Sequence, residues 1–172
     1  MAKKYIVLDT ETTGLEVRQG HKIIEIGAVV LNDRKKSSDH FHAYINPGRL
    51  IDEEASKVHG ITNQDLENEP MFAAIADDFI EFIQGSTLII HNAPFDVGFL
   101  NSELKAVSAK YPKLEDICEI EDSLVIARSK FPGQRNSLDA LANRFEVSGY
   151  DRSFHGALLD ANILADVYIY LT

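Results

Sequence analysis

Only one cysteine, Cys118, stands among the 172 residues, so no internal disulfide can form and a reducing compartment is expected. Tryptophan is absent, and no stretch approaches the ~20 apolar residues of a membrane span. The apolar run ahead of Asp9 is too short for an ordinary secretory signal, so the expected setting is cytoplasmic, with no membrane partner. Positive charge is scarce as well. Lys and Arg total 17 against 27 Asp and Glu, a net charge of −10 that opposes the basic footprint common in nucleic-acid binders. No glycine-rich phosphate loop, Cys/His cluster, linker or internal repeat is present. What the chain does have is 45% hydrophobic residues, enough to bury one sizeable core.

The most informative segment is Asp9-Thr10-Glu11-Thr12-Thr13-Gly14. It follows Tyr5-Ile6-Val7-Leu8, a run apolar on both faces that reads as the central strand of a sheet. Residues i and i+2 of a strand point the same way, so Asp9 and Glu11 share a face. Two like charges that close repel and desolvate badly unless a cation lies between them, and hard oxygen donors suit Mg²⁺ or Mn²⁺. By itself the segment is equally an ordinary acidic turn at a strand end.

Two distant segments repeat the oddity. In the C-terminal helical pattern, Asp160 shares a stripe with Leu164, Val167, Tyr168 and Leu171, whereas Asn162 and Asp166 lie on other faces. After the strand around Leu88-Ile89-Ile90, Pro94 suits a first helical position and Asp96 lines up with Phe99, Leu100, Leu104 and Val107. Three segments therefore each offer a carboxylate to an apolar interior, which one ionised side chain alone would not tolerate. His155 precedes Asp160 on the entering loop. A loop histidine is ordinarily just solvated, but beside Asp160 it reads as a proton acceptor, because imidazole titrates near neutral pH.

Other polar residues have plainer readings. Glu25, inside an apolar run, is either a supporting group of the site or a paired structural charge. His40 and His42 alternate with apolar residues as the wet face of an edge strand, and His21 and Lys35-Lys36 read as loop residues. Ser137 reads as a helix N-cap. Arg128, Lys130, Arg135, Arg144 and Arg152 form a possible local basic path. Strands are expected near 4–10, 22–32, 38–46, 87–91 and 116–121, and helices at 70–83, after Pro94, and near 123–130, 137–145 and 156–171. The fold class is α/β: a five-stranded mixed sheet, three antiparallel strands then βαβ units, flanked by helices.

Asp9-x-Glu11-x-Thr-Gly-Leu, Asn92-x-x-x-Asp96 and His155-x-Ala157-x-x-Asp160 resemble the three exonuclease motifs of the DEDDh family. Residues 19–28, Val58-His-Gly-Ile-Thr, His91-Asn-Ala-Pro-Phe-Asp and residues 131–141 extend the likeness to the proofreading branch that serves bacterial replicative DNA polymerases, over nearly the whole chain. The resemblance implies a ribonuclease H-like fold in a single exonuclease domain, 1–172, without the C-terminal polymerase-binding tail that family members often carry. It implies a 3′→5′ exonuclease releasing nucleoside 5′-monophosphates from a single-stranded or frayed DNA 3′ end. Asp9, Glu11, Asp96 and Asp160 would hold two Mg²⁺ or Mn²⁺ ions, and His155 would be the general base. Glu54, Val58, His59, Asn92 and Phe95, with Asp9, Glu11 and Asp160, would surround the terminal nucleotide. Phe95 is equally a core residue, and Glu54 equally part of a solvated acidic run. Implied partners are a polymerase catalytic subunit, expected to supply most of the grip on DNA, and a small accessory subunit. Two other readings stand beside this one: an exoribonuclease of the same family, and a non-catalytic module on a nuclease-like fold.

Overall fold

The computed structural model describes residues 4–172. The first apolar run continues as a strand through both carboxylates: β1 spans Tyr5–Thr12. β2 (Ile23–Asn32) pairs antiparallel with β1, and β3 (Lys35–Tyr44) antiparallel with β2. β4 (Thr87–Ile90) lies parallel on the other side of β1, and β5 (Glu119–Asp122) lies parallel to β4. The order β3-β2-β1-β4-β5 puts β1 at the centre, as its two apolar faces require. Asp33 and Arg34 both take positive φ, the geometry of a two-residue I′ hairpin turn, so pairing resumes at once. Lys35 and Lys36 are therefore strand residues, not loop residues.

Helices α1 (Glu53–His59), α2 (Asn63–Leu66) and α3 (Phe72–Ile83) follow the antiparallel strands. α4 (Ala93–Val107) and α5 (Leu114–Ile117) lie between β4 and β5, and α6 (Ser123–Lys130), α7 (Leu138–Arg144) and α8 (Ala157–Leu171) close the described chain. Pro94 is the second residue of α4, one place later than expected. Ser137 caps α7, its hydroxyl accepting from the Ala140 N–H at 3.1 Å. No helix among the described residues is long and apolar enough to cross a membrane.

Alternation along β1 sorts its side chains between two layers. Ile6 and Leu8 enter a core with Phe79 of α3 and Phe99, Leu100 and Leu104 of α4. Val7 packs instead with Ile89 and with Leu164 and Ala165 of α8. Asp9 and Glu11, two and four residues beyond Val7, thus emerge on the α8 face. Complete burial of side chains such as Phe79 and Phe99 stabilises the fold by about 1.5–3 kcal/mol each. The α4 stripe stops at Leu104; Val107, expected inside, is half-exposed in the last turn.

Gly27 of β2 faces Asp9 across the ladder. A Cβ there would overlap the backbone of Ala157 and Leu158, so the first turn of α8 closes onto bare strand. That approach brings Asp160 to the sheet.

Candidate active site

Asp9 and Glu11 on β1 and Asp160 in the first turn of α8 each offer an oxygen within 4.8 Å of the others. Asp9 Oδ2 is buried and has no hydrogen-bond partner among the described residues. Burial pushes the Asp9 carboxyl well above the ordinary carboxylate range, reinforced by Asp96, Glu11 and Asp160. Glu11 is pushed up to about 9 by burial, then by Asp160, Glu25 and Asp96. Asp160 is raised by burial even though Arg152 pulls the other way. An orphaned buried oxygen amid hard donors of one sign fits a small divalent cation.

Asp96 stands apart from this trio. It is 3% exposed at the start of α4 and accepts from the Thr10 hydroxyl, on the opposite face of β1 from Asp9. Burial raises it to about 7 against the effect of that bond, and it is near enough to raise Asp9 and Glu11. Of the four carboxylates, the structure clusters three and leaves the fourth alongside.

His155 lies between two acids, Nδ1 3.5 Å from Asp160 and Nε2 3.5 Å from Asp139 of α7. Its backbone N–H donates to Val58 O at 2.8 Å, and Phe154 lies over Gly60 with no room for a Cβ. The loop bearing His155 is thereby pinned to the end of α1. Glu25 sits opposite Glu11, 2% exposed; one oxygen accepts from the Ala157 N–H at 2.8 Å and the other meets His42 Nε2 at 2.7 Å. Glu25 is thus a paired charge that ties α8 to the sheet, and His42 is its partner as well as an edge-strand residue.

A groove of about 580 Å³ runs from Glu11 past Thr12, Glu54, Val58 and His59 to Phe95. Glu54 is exposed and pairs with Lys57 at 3.2 Å, and Val58 is 48% exposed. His59 is turned inward, its nitrogens facing Thr12 O at 3.3 Å and the Ile61 N–H at 3.0 Å. Phe95 is half-buried against Phe99, centroids 4.9 Å apart, and also faces the groove. Asn92 is exposed with φ 68, an uncommon conformation for a non-glycine residue, and its N–H donates to Asp122 at 3.0 Å.

A family model described as exonuclease matches residues 6–168. The chain belongs to this exonuclease family. The DNA polymerase III epsilon subunit of Escherichia coli K12 is 50% identical over 173 residues, 98% of this chain and 71% of that protein. Its namesake from Rickettsia typhi is 53% identical over 167 residues, 97% of this chain and 73% of that protein. Exonuclease X in complex with 5′-overhanging duplex DNA superposes with a TM-score of 0.76 at 26% identity, over 97% of this chain and 90% of that one. The nuclease domain of 3′hExo, a DEDDh family member bound to rAMP, superposes at 0.77 and 19% identity over 98% and 90%, a likeness of fold. The chain is a divalent-metal-dependent 3′→5′ exonuclease with the ribonuclease H-like sheet.

Sequence reasoning missed how this exonuclease uses Arg152. Instead of joining a basic path, Arg152 donates to Asp160, and to Asp139 from Nη2 at 2.6 Å. Arg144 is likewise engaged, donating to Asn136 Oδ1 at 3.0 Å and lying over the Phe131 ring at 4.4 Å. His21 lies in the loop before β2, as expected, but it is buried there: it meets Thr13 Oγ1 at 2.9 Å and Asp52 at 3.2 Å and packs against Gly14. Only the absence of a side chain at Gly14 hinted at it.

Proposed function

We propose that this exonuclease removes nucleoside 5′-monophosphates from DNA 3′ ends as the proofreading subunit of a replicative polymerase. The observation that carries the reading is the Asp9–Glu11–Asp160 cluster around a buried, partnerless oxygen, beside His155. Asp9, Glu11, Asp160 and the adjacent Asp96 would hold two Mg²⁺ or Mn²⁺ ions. When bound, such a pair stabilises charge on the attacking and leaving oxygens of an in-line displacement.

The chain's own residues do the rest. Neutral His155 takes a proton from the water that attacks the phosphorus of the last linkage. The bond to the 3′ oxygen of the preceding nucleotide breaks, that oxygen gains a proton from solvent, and the terminal nucleotide leaves with its 5′-phosphate. Glu54, exposed at the edge of the groove, would accept from the terminal 3′-hydroxyl, and Val58 and Phe95 would pack against the frayed base. His59 would act there by shaping the wall, and Asn92 by holding the strand near the α4 start.

The identity to epsilon subunits supports a DNA substrate, polymerase association and a cytoplasmic site of action. A chain of net charge −10 fits a partner that supplies most of the grip on DNA. The test is release of mononucleotides from matched DNA and RNA oligonucleotides with Mg²⁺ or Mn²⁺. DNA should be degraded stepwise from its 3′ end, and equal or faster attack on RNA would contradict the reading.

A further inference from the structure

Arg152 is the one cation in contact with the carboxylate cluster among the described residues, and its bonds are distributed unusually. One arm of the guanidinium, Nη1, donates to Asp160 Oδ1, the residue that the proposed reading gives to metal. The other arm, Nη2, is 2.6 Å from Asp139 Oδ1 and 3.1 Å from His155 Nδ1, and Nε is 3.1 Å from the same Asp139 oxygen. Asp160 is 8% exposed at its side chain and Arg152 only 24%, so the contact is sheltered from solvent. The same Nη2 is 3.5 Å from His155 Nε2, so the guanidinium lies over the imidazole ring, near both of its nitrogens. One side chain thus engages both a proposed metal ligand and the proposed base.

We propose that Arg152 is a resting-state clamp, a positioning residue that stands in for the divalent ion on Asp160 until metal displaces it. The inference rests on the metal reading above. The physical argument is competition. Asp160 cannot give its Oδ1 fully to a guanidinium and to a divalent cation, and a positive charge against the site repels the incoming ion. Asp139 supplies the alternative partner: it already holds Nε and Nη2, is half-exposed, and can keep the guanidinium after Nη1 lets go. Release would free the Asp160 oxygen for the ion, while the arm that Asp139 keeps stays beside His155.

The test uses the whole chain and metal alone. Mg²⁺ and Mn²⁺ are titrated calorimetrically, in mildly alkaline buffer where protons compete least, into the wild type, Arg152→Gln and Arg152→Lys. Arg152→Gln should bind more tightly by about two- to fivefold, the range for losing a competing ion pair. Arg152→Lys should fall between, since its point charge cannot hold both acids at once. In parallel, the Arg152 Nε–H signal in ¹⁵N NMR should move with Mg²⁺ and saturate at the calorimetric affinity. Damage to the fold alone would weaken binding. Unchanged or weaker binding by Arg152→Gln, with a stationary Arg152 signal, overturns the clamp while leaving the metal reading intact. A wild type that binds neither ion overturns both.

Discussion

Burial raises Asp9, and the neighbouring carboxylates raise it further, so without a cation the folded state holds protons that the unfolded chain would release. Glu11, pushed up to about 9, widens the interval. Between the ordinary carboxylate range and that value the native protein binds more protons than the unfolded chain, so stability falls as pH rises. The Tm of chelator-treated protein should therefore drop from about pH 5 to about pH 9, and added Mg²⁺ should restore it most at the upper end. A metal-free Tm that climbs across this interval would contradict the assignment. Asp9→Asn should abolish mononucleotide release yet raise the metal-free Tm, because it removes a repelled charge and keeps the shape; calorimetry and a product assay read the two effects. His155→Ala should slow turnover by about 10²–10⁴-fold with metal affinity little changed, a split that separates a base from a ligand.

At the level of elements, the site depends on how closely α8 lies on β2. Gly27→Ala would insert a methyl into the backbone of Ala157 and Leu158 and lift Asp160 away from Asp9. The expected cost is about 1–3 kcal/mol of stability, with loss of metal affinity, measured by denaturant unfolding and titration; wild-type affinity would show that this approach does not set the site. The same elements show what could be read beforehand. β1, β2, α3 and α8 were legible because long apolar runs and 3.6-residue stripes report burial directly. α1, α2 and α5 span seven, four and four residues, too few for a period to emerge, so Glu54 was met inside an acidic run and not on a helix. Asp9, Glu11 and Asp160 were visible as charges out of place on apolar patterns. Arg152 was not, since a loop arginine is ordinary and only tertiary closure of α8 beside α7 gives it Asp160 and Asp139 together.

On the scale of the whole molecule, the sheet centre gathers acid while the rest of the surface offers little base to hold a polyanion. Binding of the isolated chain to a single-stranded oligonucleotide should be weak and should fall with salt, and a polymerase catalytic subunit should tighten it. Fluorescence anisotropy checks this; tight, salt-insensitive binding by the chain alone would remove the reason for such a partner. The central claim is narrower: acids distant along the chain are brought together to hold divalent cations. Its most direct measurement is the stoichiometry of Mn²⁺ binding to the wild type and to Asp9→Asn and Asp160→Asn. Two ions per wild-type chain, with one or both lost in each variant, is the predicted result. Wild-type stoichiometry and affinity in both variants would contradict it.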